Sequence, residues 1–177
     1  MKMLRTFLAT AILICGLSTG GYALPATAET EVRATVLKVF QDLRSKNYDA
    51  LYDNLPANFR TRISREKFTT GLRRSQDTYA LDRIEIGKVK ASGDIAAADT
   101  VLYGRLLKPF DTEGKIMAQQ YLVREDGKWK VATGDNTTIR KFLAANPAFA
   151  RQFPIRQPRV FVKKEGGWVE FTVPGKR

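Results

Sequence analysis

The 177-residue sequence has no histidine and a single cysteine, Cys15, near its N-terminus. Without histidine there is no Ser-His-Asp or Cys-His nucleophile, no imidazole base and no histidine-ligated zinc. Acidic residues are scarce beside basic ones: 18 Asp+Glu stand against 30 Lys+Arg, a formal charge of +12. Long apolar runs are also lacking. Only Thr6 to Leu17 is almost wholly apolar, well short of the roughly 20 residues that a spanning helix needs. What is present is a globular composition, 44% hydrophobic and 27% charged, in a chain long enough to bury a real core.

The apolar run follows Lys2 and Arg5 and leads to Leu24-Pro25-Ala26-Thr27-Ala28, with small residues before Glu29. This is the three-part pattern of an export signal over residues 1–28, with cleavage expected after Ala28. An uncleaved anchor fits less well, because Ser18, Gly20, Gly21 and Pro25 interrupt the run. Lipidation of Cys15 fits less well too, because the residue lies inside the run and follows the bulky Ile14. The exported chain, Glu29 to Arg177, has no cysteine, which excludes disulfides, thiolate nucleophiles and thiolate-bound metals. The expected destination is the periplasm or the outside of the cell.

In that chain Val32, Val36, Val39, Phe40 and Leu43 fall at helical spacing and predict an amphipathic helix from Glu31 to Leu43. Asn47 opens a second, short helix that Pro56 stops. Ser64 caps a third, Arg65 to Ser75, with Ile63 and Phe68 at the staple positions. Beyond Asp77 the pattern turns to strands. Arg83 to Lys90 alternates, Ser92-Gly93-Asp94 is a turn, and Ile95 to Leu107 is a long strand with Gly104 as the expected bulge. Lys108 to Gly114 reads as a loop. Ile116–Arg124 and Trp129–Thr133 flank a tight hairpin at Glu125-Asp126-Gly127-Lys128. Asp135 to Thr138 caps a helix, Ile139 to Ala145, that Pro147 ends. A last hairpin, Val160–Lys164 and Trp168–Val173, turns at Gly166-Gly167. The predicted class is α+β, with three N-terminal helices packed on one face of a curved antiparallel sheet of about four strands, followed by a C-terminal helix and hairpin. A basic extension is expected over 138–177.

The Lys46-Asn47-Tyr48-Asp49-Ala50-Leu51-Tyr52 stretch, Leu55-Pro56-x-x-Phe59-Arg60, Ile63-Ser64-x-Glu66-Lys67-Phe68 and Leu122-Val123-x-Glu125-Asp126-Gly127-Lys128-Trp129-Lys130-Val131 together resemble exported nuclear transport factor 2-like domains. The resemblance covers Glu29 to about Asp135 and bounds an α+β domain at 29–137. It implies a cone whose sheet and helices enclose an apolar pocket, and a pocket that in enzymatic members holds carboxylates and tyrosines, as in ketosteroid isomerase.

On that footing the expected lining is Phe40, Leu43, Tyr52, Phe59, Phe68 and Leu72, with Asp99 and Tyr103 as the acid and phenol that a metal-free enzyme would use. The other reading of Asp99 puts it on the solvent face. Ser64 and Lys67 match a Ser-x-x-Lys spacing, but the Ser-Asp-Asn and Lys-Thr-Gly partners are missing, so Ser64 is read as a helix cap. Asn136-Thr137-Thr138 is a glycosylation sequon in form and is likewise read as a cap. Arg60, Arg62, Arg65, Arg73 and Arg74 form a candidate anion-binding surface, suited to an acidic envelope polymer or lipid headgroups. Nucleic acid is not expected, since export argues against it and no aromatic-interleaved motif is present. No cofactor and no metal are expected. A small apolar ligand and a homodimer are the remaining partners considered. The leading reading is a non-catalytic binding module; a small enzyme and an envelope adaptor are the alternatives.

Overall fold

A computed structural model describes residues 27–108 and 111–171. Residues 1–26 of the expected export signal over 1–28, Cys15 among them, lie outside these residues, as does the expected end of the last strand beyond Phe171.

Helix α1 (Ala28–Arg44) starts where Thr27 accepts the Thr30 N–H, and Glu29 and Glu31 sit favourably in its first turn. The expected cut after Ala28 therefore falls inside the first turn of this helix. Val32, Val36 and Phe40 recur every four residues and are buried. Asp42 is buried in the same helix and takes the Lys38 ammonium at 2.7 Å. Helix α2 (Tyr48–Asp53) and the four-residue turn α3 (Ala57–Arg60) come next. Helix α4 (Arg65–Ser75) begins at its predicted residue, with the Lys67 N–H donating to Ser64 Oγ. The N-terminal region thus has four helical segments rather than three, because Ala57–Arg60 closes a turn directly after Pro56.

Among the described residues the sheet is antiparallel and six-stranded: β1 (Tyr79–Ser92), β2 (Ile95–Leu106), β3 (Thr112–Glu125), β4 (Lys128–Val131), β5 (Arg159–Lys164) and β6 (Gly167–Phe171). Its order is β1-β2-β3-β5-β6, with β4 also paired to β3. Two strands share one edge of β3: β5 pairs with Gly114–Met117 and β4 with Leu122–Glu125. The expected meander of about four strands is therefore extended, and the terminal hairpin continues the same sheet. Asp126 and Gly127, at φ 50° and 72°, form the β3–β4 turn, the pair of left-handed residues that a two-residue hairpin favours. The last hairpin turns on Glu165 and Gly166, φ 48° and 81°, one residue earlier than predicted.

Strand β1 is longer than its alternating stretch and carries two register shifts, between Leu81 and Arg83 and between Ile86 and Val89. The bulge assigned to Gly104 falls instead on β1, opposite it. Carbonyls at both irregularities are met from α1: Arg44 donates to Asp82 O, and Arg33 to Ile86 O and Gly87 O. This edge strand is thereby capped against further pairing.

The sheet is covered on both faces at one end. Val32 and Val36 of α1 pack with Val89, Ala96, Ala98, Leu122 and Trp129 on the first face. On the second, Ile139 and Leu143 of α5 (Asn136–Ala145) and Phe149 of α6 (Pro147–Gln152) pack with Ile95, Ala97, Tyr121 and Val123. Coverage of one face only was the expectation. The difference arises at Pro147, which opens α6 as its first residue rather than merely ending α5, as its fixed φ and missing N–H permit. The second layer is tied to the first by Asp135, which caps α5 and takes the Arg62 guanidinium at 2.5 Å.

Candidate functional site

Towards its other end the sheet runs out beyond α1. On the α1 face, alternation presents Leu81 from β1, Leu102 and Leu106 from β2, Ile116 from β3 and Val160 from β5. With Leu43 from the last turn of α1 and Tyr79, they enclose a cavity of about 270 Å³. Two positions on this face are glycines, and the space exists partly for that reason. A Cβ on Gly104 would come within 2.3 Å of the Ala80 carbonyl oxygen, so β1 could not approach; one on Gly114 would meet Leu106 at 3.4 Å. Tyr103, Arg105 and Lys115 border the cavity through strands whose alternation sends their side chains to the other face. Among the described residues no carboxylate lines it. A smaller recess of about 250 Å³ adjoins it past Leu43, Tyr79 and Leu81 and is more polar, bounded by Arg44, Lys46, Gln76, Asp77 and Tyr48. Burial pushes the Tyr48 phenol up, and its hydroxyl donates to Gln76 Oε1 at 3.5 Å.

The predicted lining residues separate. Leu43 is on the cavity wall. Phe40 is core, with the Arg44 guanidinium 5.9 Å from its ring centre. Tyr52 and Phe68 pack on one another at 5.8 Å, and the Tyr52 hydroxyl donates to the Ile63 carbonyl at 2.9 Å. Phe59 lies under Arg62, and Leu72 is half-buried on α4. Phe40, Tyr52, Phe59, Phe68 and Leu72 line neither the cavity nor its recess. Asp99 and Tyr103 project to the opposite face. There the Tyr103 hydroxyl donates to Glu85 at 3.1 Å, and Arg83 stacks 3.7 Å from the ring centre. Desolvation and that carboxylate push its phenol up.

Of the five arginines, two are held internally. Arg62 is committed to Asp135, and Arg65 to Asp49 and Asp53 at 3.3 and 2.5 Å; its hydrogen bond holds the Asp53 carboxyl below the usual range. Arg60 keeps its Nε buried without a partner. Arg73 and Arg74 are exposed at the end of α4, where they suit the helix dipole.

The sheet residues of the cavity were not singled out from sequence, although Leu81, Leu102 and Leu106 were legible as apolar strand positions. What identifies them is pairing with β5, whose contact with β3 spans more than forty positions of chain.

No protein-family model and no curated protein matches this sequence. Solved structures similar to it include a nuclear transport factor 2-like protein of unknown function from Pseudomonas putida KT2440, 18% identical, at a TM-score of 0.45 over 59% of this chain and 81% of that one. Another is an LEH-like epoxide hydrolase from M. tuberculosis, 14% identical, at 0.41 over 69% and 99%. Both likenesses are of fold and remote.

Proposed function

We propose that this chain is an exported, non-catalytic binding module that holds a small apolar ligand between the end of α1 and the uncovered half of the sheet. The observation that carries the reading is the wall itself: Leu43, Leu81, Leu102, Leu106, Ile116 and Val160 around about 270 Å³. Burying aliphatic surface there drives binding without directional contacts. The adjoining recess suits a ligand with one polar end, which would meet Gln76 and Lys46. The acid and phenol expected to support catalysis, Asp99 and Tyr103, project to the far side of the sheet, which favours binding over chemistry in this cavity.

The test uses the neutral fluorophore N-phenyl-1-naphthylamine. Wild-type protein should bind it with enhanced emission. Ile116→Trp, which fills the cavity from a position already 38% exposed, should weaken binding at least tenfold, while Asp99→Asn leaves it unchanged. Equal binding by the Ile116→Trp protein, or loss in Asp99→Asn alone, would overturn the reading.

A further inference from the structure

A larger cavity, about 630 Å³, lies on the opposite face of the sheet, bordered by the coil that joins α6 to β5. Asp99 and Val101 of β2 and Met117 and Gln119 of β3 form its floor, and Arg156 of the coil lines it. Tyr121 joins the floor to the start of the coil. The Tyr121 hydroxyl lies 2.5 Å from the Phe153 carbonyl and 2.9 Å from Gln119 Oε1. The Gln119 amide nitrogen is thereby turned towards Asp99.

Of the four charged residues lining this cavity, two are already satisfied. Arg159 makes two bonds to Glu170 at 2.8 and 2.7 Å, and Glu85 takes Tyr103 and Arg83. Two are not. Asp99, half-buried, has one hydrogen bond, from Gln119 Nε2 at a long 3.4 Å. Arg156 has no hydrogen bond or ion pair among the described residues. A ligand cation would give the half-buried Asp99 a charged donor, and a ligand anion would pair with the exposed Arg156. Beside Asp99 the floor is apolar, from Val101 and from Met117, which is 41% exposed.

The geometry points to a binding site for a free α-amino acid with an apolar side chain. Its ammonium group meets Asp99, its carboxylate meets Arg156, and its side chain lies on Val101 and Met117. The site is independent of the apolar cavity, since the sheet separates them, and either can fail without the other.

Calorimetric titration of the purified protein with leucine, N-acetyl-leucine and leucinamide tests this without altering a residue. Leucine should bind, and blocking either charged end should weaken binding roughly tenfold or more. In Arg156→Gln the penalty for leucinamide should vanish, and in Asp99→Asn the penalty for N-acetyl-leucine. No heat with leucine, or a blocked form binding as well as leucine itself, would overturn the assignment.

Discussion

Removing the Asp135 side chain should weaken the fold measurably, because that carboxylate ties α5 to the N-terminal helices. It is 1% exposed, accepts the Thr138 N–H at 3.1 Å and pairs with Arg62 at 2.5 Å. Asp135→Ala deletes a helix cap worth about 1 kcal/mol. It also deletes an ion pair, discounted to about 1 kcal/mol because the Arg62 side chain is 39% exposed and returns to water. The sum is about 2 kcal/mol, or roughly 4–8 °C in Tm for a chain of this size. Asp135→Asn keeps an oxygen for the cap and should lose about half as much. Urea unfolding followed by the fluorescence of Trp129, buried in the core, reads these differences.

The same residue gives a pH signature. Burial raises the Asp135 pKa, but the Arg62 and Thr138 hydrogen bonds outweigh it and hold the carboxyl below its ordinary 3.8. A carboxyl with a lowered folded pKa binds fewer protons folded than unfolded, so its stabilisation is present above that ordinary value and fades as the pH falls below it. The gap between wild type and Asp135→Asn should therefore be constant near neutrality and close in acid. A loss below about 0.5 kcal/mol in Asp135→Ala, or a gap to Asp135→Asn that persists unchanged in strong acid, would refute the reasoning.

Two glycines should respond in opposite directions. Gly104→Ala drives a Cβ towards a backbone oxygen and should cost about 3 kcal/mol by thermal melting, whereas Gly71→Ala, with nothing within 4 Å on an α4 face, should stabilise by about 0.5–1 kcal/mol. Burial pushes the Tyr121 phenol up to about 12, so ultraviolet titration should show a late-ionising tyrosine that Tyr121→Phe removes. That variant should also lose about 1–2 kcal/mol in urea unfolding, because the single O–H donor within reach of Phe153 O and Gln119 Oε1 is removed.

Signals carried by a few adjacent residues were legible in the sequence. Ser64 marked the first residue of α4, and Asp126-Gly127 fixed the β3–β4 register, because a cap and a tight turn are decided within one turn of chain. The α+β class and the α1 stripe were legible from alternating and helical spacing, whereas the second helical layer was not. Ile95-Ala96-Ala97-Ala98 was harder: all four are buried because helices cover both faces of β2, and such a strand reads as an unbroken apolar run. Pro147 admits both a stop and a start, and only the packing of Phe149 against Phe153 and the sheet chooses. The cavity wall depends on β5 meeting β3 and on the β1 bulge facing Gly104, which are pairings that no local pattern encodes.

Methyl-resolved NMR of the protein titrated with N-phenyl-1-naphthylamine goes to the centre of this account. Shifts should be confined to the methyls of Leu43, Leu81, Leu102, Leu106, Ile116 and Val160, with Ile139 and Val123 across the sheet unmoved. Shifts centred on Ile139 and Val123, or no saturable shift at the six, would contradict a ligand held between α1 and the open half of the sheet.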